Sequence, residues 1–438
     1  MPYLLRDLLP TDETNGTWAE ARSITFDYCG RSLSSHFQPI FSVAHRRAIG
    51  YEGLIRSTHS DGTPESPAQL LSLPANGTEL LRLDRLCRAL HVANFTRQLP
   101  DNTWLFVNLN SQCLISEQPD IGFTRALLEA HDLPPQRLVI EVIENEVQDP
   151  ALLGRFIDHF RRLGCLIAID DFGAGHSNFD RIWQLEPDIV KLDRSLIQRA
   201  AVDARVERIL ARIVSLLHEA GSLVIVEGVE NEREARVAIG ADADMVQGFY
   251  FARPAPDIGH HTDSWDRFDK LMGAPLPHHG IYASRLREGP RALQLLLESA
   301  VSQFHSHGDF ATSSAPLFSD ARTVRAFLLD DRGNQIGPSI YGPIDRLRRT
   351  ERFTPLACGE HANWSHKDYH YRALQQPGKM HISEPYLSVA DGSMCITVSQ
   401  ALTRKGRTTV YCCDLGWCEP GYTGKAGWKQ TAQGAALM

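Results

Sequence analysis

Acid, amide and lysine side chains stand at or near the C-terminal ends of successive predicted strands in the N-terminal half of the chain. If those strands are parallel and close into a barrel, their C-terminal ends converge on one rim, where active sites of that fold are built. A single charged residue at a strand end is ordinarily only solvated, but seven strands that end in this way indicate a shared site. These side chains are Glu52, Asn108, Glu141, Asp170 with Asp171, Lys191, Glu227 and Gln247.

The composition of this set points to metal-assisted phosphodiester chemistry. Carboxylate and amide oxygens are hard ligands that suit Mg²⁺ or Mn²⁺ better than zinc, and closely packed carboxylates repel one another unless cations neutralise them. Two such ions can generate hydroxide from water and clamp both reacting oxygens of a phosphodiester. Lys191 would orient or help deprotonate that water. Arg56, on the same strand face as Glu52, would either meet a phosphate or pair with a neighbouring acid.

A short glycine-containing stretch follows Asp171. Gly173 and Gly175 let the backbone approach a ligand or move as a lid. The alternative is an ordinary strand-to-helix turn with an aspartate cap.

Strand-like and helix-like segments alternate between residues 36 and 254, which predicts parallel βα units and a (β/α)8 barrel. An open, doubly wound sheet is the alternative, but no glycine-rich phosphate turn follows the first strand. The predicted strands are 36–43, 48–55, 104–109, 138–143, 166–170, 189–192, 223–227 and 245–251. The predicted helices are 80–98, 121–131, 151–163, 204–220 and 232–239.

The pattern changes after residue 254 and predicts a smaller α+β domain. A helix at 290–307 precedes strands at 324–329, 380–382, 394–401 and 408–414, with a hairpin turn at 330–334. The predicted domains are an extension at 1–30, the barrel at 31–258, a linker helix (265–272) and turn-rich segment within 259–285, the α+β domain at 286–420 and a disordered tail at 421–438.

Composition restricts the partners and the compartment. Among the 438 residues, 43% are hydrophobic and 22% are charged, and the net charge is −8. That charge argues against binding of a nucleic-acid polymer, because phosphate-tracking proteins are usually basic. The sequence shows neither a signal peptide nor a membrane-spanning run, so we expect a soluble, cytoplasmic protein. Its nine cysteines do not form a zinc-ribbon pattern, and the cluster at 412, 413 and 418 is interpreted as strand thiols.

The stretch 32–256 resembles the EAL domain, the family of cyclic di-GMP phosphodiesterases. The resemblance rests on seven motifs in matching order and spacing, over about half of the chain. They are Glu52-Gly53-Leu54 with Arg56, Val107-Asn108-Leu109, Glu141 with Glu144, Asp170-Asp171-Phe172-Gly173, Val190-Lys191-Leu192-Asp193, Glu227-Gly228-Val229-Glu230 and Gln247-Gly248-Phe249.

The resemblance implies roles for individual residues, a modified barrel whose first strand is antiparallel, and a homodimer. Implied metal ligands are Glu52, Asn108, Glu141 and Asp170, with Asp171 serving a second ion. Lys191, Glu227 and Glu52 would act in catalysis, and substrate contacts would come from Gln38, Leu54, Arg56 and Gln247. Glu144, Glu230, Gly173 and Gly175 would support the glycine loop.

Three departures from the family pattern are Gly53 for alanine, Ile143 for threonine and Asn178 for serine. None removes a catalytic group, so the domain is interpreted as competent. Gly53 can loosen the strand that positions Glu52 and lower activity.

The C-terminal domain resembles PAS or Cache-like sensors such as those appended to some EAL proteins. Tyr371 and Arg372 are candidate ligand residues for a small carboxylate. The alternative is a dimerisation module without a ligand.

Two functions from different classes fit these observations. The first is hydrolysis of cyclic di-GMP to linear pGpG, regulated by the C-terminal domain, without synthesis because no cyclase half is visible. The second is a weak or inactive receptor that signals through a protein partner. The intact acidic ring favours the hydrolase, and a scaffold without nucleotide function explains none of the rim residues.

Overall fold

The computed structural model describes residues 23–98, 102–110, 121–143, 150–174, 179–259, 263–272, 291–342, 351–356, 359, 361–388, 392 and 394–417. The predictions for the first 22 residues, for the turn-rich segment after residue 272 and for the tail from residue 421 lie outside these residues.

Ten strands make up the sheet of the N-terminal part. They are β1 (Phe26–Tyr28), β2 (Arg31–Ser42), β3 (Arg47–His59), β4 (Pro64–Glu65), β5 (Trp104–Asn108), β6 (Leu138–Ile143), β7 (Leu166–Phe172), β8 (Ile189–Leu192), β9 (Leu223–Val226) and β10 (Met245–Val246). Eight of them follow the order β2-β10-β9-β8-β7-β6-β5-β3, and pairing of β2 with β3 closes the barrel.

Strand β2 is antiparallel to both of its barrel neighbours, whereas the other barrel strands pair in parallel. The modified (β/α)8 barrel that the resemblance implied is therefore confirmed, and the open-sheet alternative is wrong. Strands buried on both faces carry continuous apolar runs, and β9 (Leu-Val-Ile-Val) is buried at every position.

Helices surround the barrel. They are α1 (Pro67–Leu71), α2 (Gly77–Gln98), α3 (Ile121–Ala130), α4 (Pro150–Leu163), α5 (Phe179–Leu185), α6 (Arg194–Val202), α7 (Ala204–Glu219), α8 (Glu232–Gly240) and α9 (Asp263–Met272). Helix α7 illustrates how local sequence sets where a helix begins. Asp203 accepts a hydrogen bond from the amide of Arg205 at 2.7 Å and so caps the helix. Leu210, Val214 and Leu217 then recur at helical spacing and are fully buried.

The C-terminal part is an α+β unit around a six-stranded sheet. Its elements are α10 (Arg291–His307), α11 (Phe310–Ser314), β11 (Thr323–Asp330), β12 (Ile340–Tyr341), α12 (Asp368–Gln375), β13 (Met380–Ile382), β14 (Tyr386–Leu387), β15 (Met394–Arg404) and β16 (Arg407–Gly416). The order is β12-β11-β16-β15-β13, with β14 paired to β15, and the described pairings are all antiparallel. The predicted turn at 330–334 is confirmed, with Gly333 at φ 83°.

Both faces of this sheet are covered. Ala326 packs toward Leu297 and Phe304 of α10, while its neighbour Phe327 packs toward Tyr369 of α12. Adjacent strand residues point to opposite faces, so the sheet lies between the two helices.

The C-terminal unit covers the N-terminal end of the barrel. Phe353 and Leu356, from the 3₁₀ turn Glu351–Leu356, join Leu387 in one apolar cluster with Trp104 and Leu223 at the starts of barrel strands. Within the described residues, no helix has the length and hydrophobicity to cross a bilayer.

Candidate active site

A buried lysine lies at the centre of the acidic ring on the C-terminal rim of the barrel. The Nζ atom of Lys191 lies 2.5 Å from Glu141, 2.6 Å from Glu227, 3.2 Å from Asp170 and 3.5 Å from Glu52. Only 1% of Lys191 is exposed. Burial would lower the pKa of this lysine, but Asp170 and the other carboxylates hold it well above its usual value. Lys191 is therefore a fixed cation among four carboxylates.

Glu52 is oriented by two side-chain amides, one at the end of the neighbouring strand β5 and one directly after β10. The side-chain Nδ2 of Asn108 donates to its Oε1 at 3.1 Å, and Nε2 of Gln247 donates to its Oε2 at 2.8 Å. Burial raises the pKa of Glu52, but Lys191 and these hydrogen bonds outweigh burial, so the pKa lies below its usual value. Because each amide nitrogen donates to Glu52, the side-chain oxygens of Asn108 and Gln247 point elsewhere and can act as acceptors toward a cation.

The ring carries more negative charge than one lysine can neutralise. Burial, followed by the charge of Glu52, raises the pKa of Glu141 well above its usual value. Burial also raises the pKa of Glu227, and Lys191 opposes that rise only in part. Close carboxylates in a dry site retain protons unless additional cations enter, so the electrostatics of the ring favour cation binding.

A strand irregularity brings Asp170 and Asp171 to the same side. In a regular strand these neighbours would point to opposite faces, but the register of β7 against β8 shifts between Ile169 and Phe172. Asp171 also adopts a left-handed φ of 56°. As a result, carboxylate oxygens of Asp170, Asp171 and Glu227 lie within 4.8 Å of one another. Burial and the charge of Asp170 raise the pKa of Asp171.

The donor set fits divalent cations. Buried oxygens Oε2 of Glu141 and Oε1 of Gln247 accept no hydrogen bond from the described residues. An unpaired polar atom in a dry site is costly, and carboxylate and amide oxygens are the ligands that Mg²⁺ and Mn²⁺ prefer. The ring brings together all of the residues predicted to bind metal, with Lys191 and Glu227 beside them. The predicted metal-binding residues are Glu52, Asn108, Glu141, Asp170 and Asp171.

A pocket of about 160 Å³ opens beside the ring. Gln38 and Gln247, both predicted to contact substrate, line it with Glu52, and Gln38 is the register partner of Glu52 across β2 and β3. Leu54 and Arg56 lie further along β3 and are half-buried. Arg56 donates to the carbonyl of Ile55 at 2.9 Å, and among the described residues it forms no ion pair with an acid.

Besides two glycines, the pocket is lined by Arg194 and Phe249, to which the sequence assigned no role. Arg194 directly follows the Lys191 motif, and Phe249 ends the Gln247 motif, so proximity to motif residues was the available signal. Phe249 is 45% exposed at the pocket, with the Arg253 guanidinium 4.4 Å from its ring centroid. These side chains add a cation and an aromatic face beside the acidic ring.

The proposed loop-support residues are only partly described. Gly173 has φ 101°, a conformation that suits glycine. Glu230 lines the pocket, and its backbone amide donates to Glu234 at 2.7 Å. Glu144 and Gly175, as well as the departure at Asn178, lie outside the described residues.

The candidate ligand residues of the C-terminal unit lie on α12, remote from the ring. Arg372 forms an ion pair with Asp368 at 2.8 Å, and Tyr371 is 38% exposed. A separate cavity of about 90 Å³ between the unit and the barrel is lined from α12 by Asp368 and Tyr369. Ligand binding by Tyr371 and Arg372 stays a prediction.

Comparison with known proteins agrees with this geometry. The sequence profile described as the EAL domain matches residues 28–254, slightly more than half of the chain. The chain is 34% identical over 228 residues to the cyclic di-GMP phosphodiesterase RocR of Pseudomonas aeruginosa, a match covering 51% of this chain and 58% of RocR. It is 26% identical over 226 residues to the cyclic di-GMP phosphodiesterase PdeL of Escherichia coli, covering 50% of this chain and 61% of PdeL.

Among solved structures, the Klebsiella pneumoniae BlrP1 complex with manganese and cyclic di-GMP aligns with a TM-score of 0.49 and 28% identity, over 54% of this chain and 60% of that chain. The chain spans less than two thirds of the length of the curated relatives it matches, between 28% and 61% for four of them. Because the profile match covers more than half of the sequence and includes every residue of the acidic ring, the chain belongs to the EAL domain family.

Proposed function

We propose that the chain hydrolyses one phosphodiester bond of cyclic di-GMP and releases linear pGpG, with two Mg²⁺ or Mn²⁺ ions as cofactors. The observation that carries this proposal is the buried Lys191 ammonium held among four carboxylates on the barrel rim. The two relatives named as cyclic di-GMP phosphodiesterases support the choice of substrate.

Some side chains of the ring would bind the cations, and others would transfer or orient protons. Glu52, Asn108, Glu141 and Asp170 would hold one cation and Asp171 the second, and bound divalent ions would polarise the phosphoryl group and acidify a water. Glu227, 2.6 Å from Lys191, would accept the proton that the attacking water loses. Lys191 would orient that water and offset the negative charge that develops as the new O–P bond forms and the P–O3′ bond breaks.

Substrate would be held beside the ring. Arg56 donates to no acid among the described residues and would meet a phosphate of the dinucleotide. Leu54, Gln38 and Gln247 would line the remaining contact surface, of which the two glutamines already border the pocket.

Three further expectations belong to this proposal. Residues 286–420 would act as a PAS or Cache-like sensor that regulates the barrel, with a small molecule as its ligand. The protein would work as a homodimer, and it would act in the cytoplasm on a soluble nucleotide. The contact between the C-terminal unit and the N-terminal end of the barrel supports a regulatory arrangement.

The test is turnover of cyclic di-GMP by the full chain in Mg²⁺, in Mn²⁺ and in excess chelator, with pGpG separated by chromatography. Activity should require the metal and should fall to background in Glu52→Gln. Glu129→Gln, a change of the same type on the exposed surface of α3, serves as the matched control. Binding of cyclic di-GMP without turnover in either metal would overturn the hydrolase and favour a receptor.

A further inference from the structure

Gly53, which directly follows Glu52 on β3, faces the ring of His91 on α2. A Cβ atom built at Gly53 would lie 2.8 Å from Cγ and 3.1 Å from Cβ of His91. Carbon atoms in contact are ordinarily about 3.5–4.0 Å apart. The space that the methyl group of an alanine would occupy at this position is therefore filled by the histidine ring.

The His91 side chain is held in place by its own contacts. His91 is 4% exposed, and its Nδ1 forms a hydrogen bond with Oγ of Ser35 at 2.9 Å. Ser35 also accepts a hydrogen bond from Asn94 at 3.2 Å, and Asn94 in turn bonds both the amide and the carbonyl of Ile24. Because this network fixes the ring, His91 cannot simply turn away to make room for a larger residue at position 53.

We propose that His91 is a positioning residue for Glu52: its ring packs on the backbone of Gly53 and holds this part of β3 where Glu52 can bind metal. The proposal rests on the metal-binding role assigned to Glu52 in the proposed function. From the sequence, Gly53 was expected to loosen the strand that positions Glu52. The proposal replaces that expectation, because the His91 ring supports the strand at the glycine. Gly53 and His91 act as a matched pair, because the ring occupies the space that the methyl group of an alanine at position 53 would need.

A double-mutant cycle tests the pair. Gly53→Ala and His91→Ala should each lower the affinity for Mn²⁺ about 10-fold, the lower end of the range for residues that orient metal ligands. The first introduces a close contact, and the second removes the support beneath the strand. The double variant should recover most of the affinity and of the melting temperature, because the new methyl group occupies part of the vacated space. Mn²⁺ binding is measured by calorimetry without substrate.

Gly50→Ala is the matched control on the same strand. A Cβ there would lie 2.6 Å from the Phe106 ring, so this variant is also strained, but at a site that His91 does not touch. His91→Ala should rescue Gly53→Ala and leave the defect of Gly50→Ala unchanged. Additive effects of Gly53→Ala and His91→Ala on both Mn²⁺ affinity and melting temperature would overturn the inference.

These readouts separate the inference from the proposed function. If the unsubstituted chain binds Mn²⁺ but does not cleave cyclic di-GMP, the proposed hydrolase function is wrong. The double-mutant cycle would still test whether His91 positions Glu52. Absence of Mn²⁺ binding by the unsubstituted chain would overturn both.

Discussion

The ammonium nitrogen of Lys191 lies 2.5 Å from Oε1 of Glu141, and both side chains are almost completely buried. One partner comes from β8 and the other from β6, so this contact spans β7, which contributes Asp170 between them. A cation fixed at this depth serves two purposes. It offsets part of the negative charge of the ring, and under the proposed function it would place a positive group beside the phosphodiester that reacts.

Replacement of Lys191 by methionine should lower turnover of cyclic di-GMP by about 10²–10⁴-fold, the usual contribution of a positioned proton-handling group. The chain should still fold when Mn²⁺ is present, because divalent cations can neutralise the same carboxylates. Steady-state kinetics with far-UV circular dichroism measures both effects. Lys270→Met, at an exposed ion pair with Glu232, is the control and should keep wild-type turnover. A Lys191 variant with unchanged turnover would contradict the assigned role.

Metal binding should stabilise the barrel measurably. At a Mn²⁺ concentration 100 times the dissociation constant, mass action raises the free energy of unfolding by about 2.7 kcal/mol. The melting temperature should therefore rise when Mn²⁺ is added to chelator-treated protein. Asp170→Asn, which removes one charge from the Asp170, Asp171 and Glu227 cluster, should abolish most of this rise. Asp158→Asn, on the exposed face of α4, should show the full rise, and an equal rise in both variants would place the metal elsewhere.

The acidic ring could be predicted from the sequence because the C-terminal ends of parallel barrel strands lie together on one rim. The residue types at those strand ends were therefore enough to predict which side chains form the ring. Strand β8 was predicted with its observed bounds, because an aspartate stands on either side of the run Ile-Val-Lys-Leu and marks where it begins and ends. Strand β10 ends at Val246 instead of 251, because the chain turns at Gly248, whose carbonyl accepts from the amides of Phe251 and Ala252 at 3.1 Å.

The parts that sequence did not predict depend on long-range register and packing. The convergence of Asp170 and Asp171 requires the shift of β7 against β8, which no local pattern encodes. Gly53 was interpreted as a loosening residue because nothing in the strand indicates that His91, 38 positions later, would fill the space. Helices α5, α6 and α12 were missed; each is only seven to nine residues long, shorter than the window of roughly 11–18 residues over which helical periodicity is recognised.

The C-terminal sheet contains a buried ion pair whose disruption should be costly. Nε of Arg325 lies 2.5 Å from Oδ2 of Asp414, and Thr397 donates to the other carboxylate oxygen at 2.7 Å. Arg325→Met would leave Asp414 charged and buried, which typically costs about 3–5 kcal/mol of unfolding free energy. Urea denaturation followed by tryptophan fluorescence measures this loss.

Two comparison variants make this prediction specific. Replacement of both partners, Arg325→Met with Asp414→Leu, should recover much of the stability because no unpaired charge remains. Arg322→Met removes an exposed arginine that pairs with Asp320, and it should cost less than about 1 kcal/mol. Equal losses from Arg322→Met and Arg325→Met would show that burial of the ion pair does not matter.

Asp368, at the cavity between the C-terminal unit and the barrel, should make stability depend on pH. Burial raises its pKa to about 6, against the opposing charge of Arg372. A carboxyl whose pKa is higher in the folded than in the unfolded chain binds its proton more tightly when folded. Stability from this group is therefore present at low pH and is lost as pH rises from about 4 to 6. A pKa difference of roughly two corresponds to at most about 3 kcal/mol, and solvent screening reduces the loss because 33% of the side chain is exposed.

Asp368→Asn isolates this effect, because the amide is neutral at every pH. The unfolding free energy of the variant, relative to the unsubstituted chain, should increase between pH 4 and 6 and stay constant above about pH 7. Other titrating groups are common to both proteins and cancel in the difference. Urea denaturation at half-unit pH intervals gives the two curves. A difference that does not change with pH would mean that Asp368 titrates at its ordinary value, and that burial in this cavity does not hold its proton.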